Sequence, residues 1–324
     1  MPNDRLMRIK TITMANTNLG KAKSSKNDEF YTQYADIQKE VNAYIDFDPN
    51  VFRNKTILLP CDDPEWSNFT KFFAQNFERY GIRRLISTSY APIAKKIKSW
   101  QPTFFETQSP YYNIARSRTN GKIFILDRDT NADNRIDIND IEWKYLNGDG
   151  DFRSEEVKLL RDESDIIITN PPFSLFREFL TWINEAQKQF LIIGNQNAIT
   201  YKEVFPFIKE NQIWLGATGF STDMVFGVPE GAVVKESDRA KAARLGYVGN
   251  YTRLGNSCWF TNIDHGRRHQ PLALMTMSDN ITYSKHKGIK GKGYATYDNY
   301  DAIEIPYTDA IPCDYDNAMG VPIT

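Results

Sequence analysis

Five short apolar runs constrain this chain most: Lys55–Pro60 (KTILLP), Arg83–Ser89 (RRLISTS), Lys122–Leu126 (KIFIL), Asp165–Thr169 (DIIIT) and Phe190–Gly194 (FLIIG). Each is too brief for a stable helix. Near-continuous apolar stretches of this length read as strands covered on both faces, as in parallel sheets. Helical spacing marks Asp36–Tyr44, Ser67–Tyr80, Phe176–Gln187 and Glu203–Glu210, and two further strand-like runs follow at Ile213–Gly216 and Cys258–Thr261. Strands alternating with helices predict an α/β fold built on a doubly wound sheet.

Composition excludes several classes. At 324 residues the chain is long enough for one large or two modest domains, and its 41% hydrophobic and 25% charged content is that of a globular protein. No apolar run approaches the ~20 residues of a membrane span. Arg5, Arg8 and Lys10 are not followed by the apolar core of a signal peptide, so a cytoplasmic protein is expected. Cys61, Cys258 and Cys313 are too scattered for a disulfide framework or a zinc site.

The formal net charge of −1 does not mark a nucleic-acid binder, so any such surface must be local. Three places could supply it. Residues 1–26 form a polar arm with Lys21, Lys23 and Lys26; Arg267 and Arg268 sit between His265 and His269; and Lys287, Lys290 and Lys292 alternate with glycines. Flexible basic loops suit phosphate contacts, although each could equally be a solvated surface. Asp129–Asp140 (DTNADNRIDIND) has the outline of a calcium loop, with Asp129, Asn131, Asp133 and Asp140 at ligand positions. Its sixth residue is Asn134 where glycine is usual and its last is Asp, so a polar connection is the stronger reading and no metal is assigned.

The chemistry concentrates where the DIIIT strand runs directly into Asn170-Pro171-Pro172-Phe173. Ligands of open α/β sheets sit beyond the carboxyl ends of strands. Two prolines stiffen the turn and remove two N–H donors, leaving the Asn170 side-chain oxygen and the Pro171 carbonyl as acceptors. Two fixed acceptors can hold both hydrogens of an exocyclic amino group and draw its nitrogen toward sp³ geometry, its lone pair aimed at an electrophilic methyl. Phe173 offers a face for a base taken out of the stack, a step costing a few kcal/mol. Attack on a sulfonium methyl needs no general base, in keeping with the lack of a nucleophile constellation.

Asp28–Gln33 (DEFYTQ), Leu58–Phe69 (LLPCDDPEWSNF), Gly148–Phe152 (GDGDF) and the NPPF turn together resemble the EcoRI-type adenine modification methyltransferases, as do Gly255–Asp264 and Tyr297–Thr324. The resemblance runs from about Lys21 to the end. It implies a Rossmann-like sheet using S-adenosylmethionine to methylate N6 of a flipped adenine in double-stranded DNA. It also implies a GAATTC-like site, a monomer on DNA, and a restriction-modification system with a possible cognate endonuclease. Carried over by position, Asn170, Pro171, Pro172 and Phe173 form the catalytic turn, and Phe30, Tyr31 and Thr32 cover the cofactor. Cys61, Asp62 and Asp63 turn the first strand against the cofactor, with an acid for its α-amino group. Asp151 and Phe152 meet its adenine, the first through a hydrogen bond and the second through its ring. The sequence departs from the pattern twice: CDDP replaces the glycine-rich turn, and RRLISTSY ends without the acid that normally holds the ribose.

These readings divide the chain into an arm at 1–26, a catalytic core at 27–264 with a recognition insertion at 217–256, and a recognition segment at 265–324. Two alternatives remain: an amino-group methyltransferase acting on RNA or protein, and a non-catalytic DNA-binding protein on a methyltransferase-like fold.

Overall fold

The computed structural model describes residues 30–63, 67–91, 104–218, 224–228, 234–270 and 282. The arm at 1–26, Lys23, Lys26, Lys287, Lys290, Lys292 and Tyr297–Thr324 lie outside the described residues.

Eight strands form the main sheet. In space their order is β5 (Glu142–Tyr145), β4 (Lys122–Leu126), β3 (Arg84–Ser89), β2 (Thr56–Leu59), β6 (Ile166–Thr169), β7 (Gln189–Asn195), β11 (Ser257–Thr261) and β8 (Trp214–Leu215). The four central strands, β3, β2, β6 and β7, are parallel, whereas β4, β5, β11 and β8 add antiparallel pairings at the two edges. The sheet is therefore mixed, and KIFIL, expected within a doubly wound sheet, instead pairs antiparallel to β3.

Alternation along the strands builds two cores. Ile57, Leu59, Leu85, Ile166, Ile168, Leu191 and Ile193 point to one face, while Leu58, Ile86, Ile167, Phe190 and Ile192 point to the other. The first face is covered by α1 (Tyr34–Phe47), α2 (Asn68–Gln75) and α3 (Phe77–Tyr80), through Ile37, Val41, Phe69, Phe72 and Phe77. The helix expected over Ser67–Tyr80 thus breaks at Asn76. On the opposite face, α4 (Glu155–Glu163) contributes Val157, and α5 (Phe176–Glu185) contributes Phe176, Phe179, Leu180 and Ile183. The central strands β2, β3, β6 and β7 are buried on both sides, as their unbroken apolar runs require.

Chain order creates a crevice. From β2 the chain crosses to β3 on one side, yet β6 pairs with β2 on the other. The helix that follows β2 covers one face and the helix that follows β6 covers the opposite face. The sheet's topological switch point therefore falls between β2 and β6, where such sheets open a ligand crevice. A separate three-stranded antiparallel sheet, β1 (Tyr31–Thr32), β9 (Met224–Gly227) and β10 (Tyr251–Leu254), uses β9 as its middle strand.

Candidate active site

Asn170 follows β6 directly, at the switch point. Its Nδ2 donates to the Phe30 carbonyl at 2.9 Å, which fixes the orientation of the amide. Its Oδ1 is buried and has no hydrogen-bond partner among the described residues. A buried acceptor without a donor costs about 1–3 kcal/mol, so it persists where something else supplies the hydrogen. The carbonyl of Pro172 is satisfied locally: it accepts from Leu175 N at 2.9 Å, opening a 3₁₀ turn at Phe173–Leu175 that leads into α5.

Phe173 is half-buried, its ring 5.6 Å from Phe30 at 30° and 6.4 Å from Phe226 at 89°. Phe30 and Phe226 meet edge-on at 5.8 Å. Three rings from three separate segments thus cluster at the Asn170–Phe173 turn. Phe226 went unrecognised in the sequence because MVFG is a four-residue strand with no signal of its own. Tyr31 and Thr32 continue from Phe30 as β1, where the Thr32 carbonyl accepts from Asn68 Nδ2 at 2.8 Å. Thr32 Oγ1 is a second buried oxygen without a partner among the described residues.

The turn after β2 lies next to this cluster. Cys61 takes the left-handed conformation, with φ +67°, and its N–H donates to Thr88 Oγ1 at 3.3 Å. A cysteine thus adopts the backbone shape that glycine adopts most readily, and the CDDP departure changes the residue without losing the turn. Asp62 is built into the scaffold of this edge. It is only 8% exposed, its Oδ1 accepts from Ser67 Oγ at 2.7 Å and its Oδ2 from Thr169 Oγ1 at 2.6 Å. Its backbone carbonyl also accepts from Ser87 Oγ and Thr70 Oγ1. Asp62 therefore ties the ends of β2, β3 and β6 together. Ser67 additionally caps α2 by accepting from Phe69 N.

The GDGDF loop packs on the end of β3. A Cβ on Gly150, at φ +86°, would lie 2.2 Å from the Ser89 carbonyl, so only glycine allows this approach. Ala91 N donates to the Asp149 carbonyl at 2.7 Å. Asp151 Oδ1 accepts from Arg153 Nε at 2.9 Å and Oδ2 accepts from Arg153 Nη2 at 2.6 Å. Burial alone would raise the Asp151 pKa, but the Arg153 hydrogen bonds and charge outweigh it and hold the carboxyl below its ordinary value. Phe152 is 0% exposed, with ring centroids 5.0 Å from Phe179 and 5.6 Å from Trp182, so it anchors the loop in the core. Tyr90 follows β3 at this edge, and burial, more than the neighbouring Asp151 carboxylate, pushes its hydroxyl pKa up.

The remaining candidates separate from this site. Because β11 is antiparallel to β7, residues after Thr261 emerge at the amino edge of the parallel strands, opposite Asn170. There Arg268 stacks 3.6 Å from the Trp214 ring centroid and donates to Asn211, Arg267 donates to the Ala217 carbonyl at 2.8 Å, and His269 pairs with Asp264 at 2.6 Å. Arg267 and Arg268 thus also pack this edge, away from Asn170. In the Asp129–Asp140 loop, Asp129 accepts from Ala132 N and Asn134 N, Asn131 from Asp133 N and Asp133 from Arg135 N. Asp140, 1% exposed, accepts from Thr130 N, Thr130 Oγ1, Asn131 N and Asp137 N. The loop's own donors occupy its acids, and no group that could hold a metal ion is found among the described residues. No helix among them is long and apolar enough to cross a membrane.

Comparison with known proteins places these features in context. The model of the family described as adenine-specific methyltransferase EcoRI matches residues 18–324. The chain is 42% identical over 307 residues to the type II methyltransferase M.EcoRI of Escherichia coli, an overlap of 94% of this chain and 84% of that protein. It is 32% identical over 305 residues to the type II methyltransferase M.MpnI of Mycoplasma pneumoniae, covering 94% and 80% respectively. No solved structure matches.

Proposed function

From the premise that this chain belongs to the EcoRI family of adenine-specific methyltransferases, we propose that Asn170–Phe173 is the turn that holds its target adenine. The enzyme transfers a methyl group from S-adenosylmethionine to N6 of adenine at specific sites in DNA. One observation carries the placement: a buried Asn170 Oδ1 with no partner among the described residues, at the switch point between β2 and β6.

The residues present fit such a cofactor. Thr32 Oγ1 is a second unpartnered buried oxygen, and Cys61 turns the chain as the glycine of a nucleotide-binding loop would. Tyr31, Thr32, Cys61 and Asp63 would line the cofactor, with Asp151 reaching it from the Gly148–Phe152 loop. S-Adenosylmethionine supplies the electrophilic methyl when bound. The protein's part is to present the amine. Asn170 Oδ1 accepts one amino hydrogen and the Pro171 carbonyl the other, so positive charge growing on nitrogen meets two fixed oxygens. Phe30 takes the amide N–H₂, which keeps Oδ1 and not Nδ2 turned to the substrate. Phe173 stacks on the extruded base while Phe30 and Phe226 hold that ring in place.

The finer points belong to the same reading: a Rossmann-like, doubly wound core, a base flipped from double-stranded DNA, a monomer on its site, and recognition by the 217–256 insertion and the segment from 265 on. The 42% identity to M.EcoRI supports a GAATTC-like target methylated at the inner adenine and a cognate endonuclease. The test is expression in a methylation-deficient host and mapping of N6-methyladenine along its DNA. Methyl groups at one short motif are expected. Label from methyl-tritiated cofactor entering RNA or protein, with none in DNA, would overturn the substrate, and specific DNA binding without any transfer would overturn the enzyme.

A further inference from the structure

Glu40 stands apart from every motif above. It lies in the middle of α1 and is 0% exposed. Its Oε1 accepts from Ala217 N at 2.7 Å and from the Tyr44 hydroxyl at 2.9 Å. Its Oε2 accepts from Thr218 N at 2.9 Å and Thr218 Oγ1 at 2.6 Å. Burial first, then the Glu40 charge, pushes the Tyr44 pKa well up, so this hydroxyl stays a donor. Gly216 makes room: a Cβ there would sit 2.2 Å from Glu40 Oε1. A fully buried carboxylate with four short donors is strongly held, and each charge-assisted bond contributes more than a neutral one.

The place of these contacts gives them meaning. Ala217 and Thr218 precede β9, and β9 pairs with β1 at Tyr31↔Gly227 and Thr32↔Phe226. The chain leaves β1 directly into α1, which carries Glu40. β1, α1, Glu40, residues 217–218 and β9 therefore form a ring that the chain completes through residues 219–223, which lie outside the described residues. At its β1–β9 junction are the Phe30 carbonyl, one residue ahead of β1, that orients Asn170 and the Phe226 ring of β9 that abuts Phe173.

We propose that Glu40 is a positioning residue for methyl transfer, closing the ring that fixes the Phe30 carbonyl and Phe226 against the Asn170–Phe173 turn. This rests on the reading of that turn as the catalytic one. The cofactor end of β1 has an anchor of its own, Asn68 Nδ2 to the Thr32 carbonyl, which Glu40 does not supply. Loss of the Glu40 charge should therefore loosen the catalytic side of the ring more than the cofactor side.

The experiment compares Glu40→Gln and Gly216→Ala with Glu106→Gln, all in the full chain. Glu106 is an equally buried acid, 1% exposed and paired with Lys122 at 2.9 Å beneath the β4–β5 edge, outside the ring. It controls for stability alone. In single-turnover assays, a misplaced amine-holding group lowers kcat by about tenfold to a hundredfold. That loss is expected for Glu40→Gln and Gly216→Ala, with cofactor and DNA affinity nearly unchanged, the mark of an interaction realised in the transition state. Glu106→Gln should lower the Tm without lowering kcat at temperatures where it stays folded. Wild-type kcat in folded Glu40→Gln would overturn the proposal, as would kcat, cofactor affinity and Tm falling together in all three variants. Wild-type protein with no transfer to DNA would instead sink the functional reading on which the proposal stands.

Discussion

Two acidic or amide side chains at the same sheet edge have opposite fates. Asp62, at the end of β2, has both carboxylate oxygens occupied by Ser67 and Thr169. Asn170, at the end of the neighbouring β6, spends its N–H₂ on Phe30 and leaves its oxygen buried with no donor. The first fits scaffold, because every acceptor is met by the chain itself. The second fits a ligand, because desolvation of the oxygen has no compensation within the described residues. The kind of residue does not separate the two; hydrogen-bond bookkeeping does. The same bookkeeping assigns Asp140 and the acids around it to the folding of their loop, and Arg268 to the face of Trp214.

The contrast can be broken most directly at Asn170. Asn170→Ala removes the unpartnered acceptor and is expected to lower transfer by about 10²–10³-fold, roughly 3–4 kcal/mol of barrier, as for loss of one preorganised hydrogen-bonding group. DNA binding and Tm should remain close to wild type, measured by gel shift and thermal melt. A variant that unfolds, or that turns over at the wild-type rate, would show the oxygen to be structural after all.

Asp62→Ala should behave the other way. It strands the Ser67 and Thr169 hydroxyls and releases the ends of β2 and β6 from each other. We expect a loss of about 2–3 kcal/mol in unfolding free energy, because buried hydrogen bonds to charged groups are worth more than neutral ones. Transfer per folded molecule should fall less than in Asn170→Ala. Urea denaturation with parallel activity assays reads both quantities. Unchanged stability together with a large rise in the KM for S-adenosylmethionine would return Asp62 to the role the sequence suggested.

How much of this was legible depends on what each residue's neighbours are. β2, β3, β6 and β7 were readable because both faces of each are buried, so the apolar run is continuous. The Asn170–Phe173 turn was readable because proline geometry is local. α4 (EEVKLLRDE) was not, since only Val157 and Arg161 among its residues are buried and no apolar stripe shows. Strand direction was also hidden. The basic residues after β11 looked fit for phosphate contacts, yet the antiparallel run of β11 delivers them to the edge opposite Asn170. The packing of Phe152 was hidden too, because its partners, Phe179 and Trp182, come from a helix later in the sequence, and composition does not say which rings meet. Glu40 was invisible for the same reason: its donors lie at 217 and 218, far along the chain.

The smallest expected effect sharpens the contrast at its far end, in the loop that resembled a calcium site. The backbone N–H of Asp137, then those of Thr130 and Asn131 with the Thr130 hydroxyl, outweigh burial and hold the Asp140 carboxyl below its ordinary value of 3.8. A carboxyl depressed in the folded state adds stability above its unfolded pKa and loses it as pH falls through the folded one. Asp140→Asn should therefore cost about 1–2 kcal/mol at neutral pH, and the gap between wild type and variant should narrow as the pH is taken below about 4. Chemical denaturation over that pH series measures the gap. Added calcium should leave the wild-type Tm where it was, because the loop's amides already occupy its acids. A gap that does not change with pH would detach the carboxylate's charge from the fold, and a Tm that climbs with calcium would reopen the loop as a metal site.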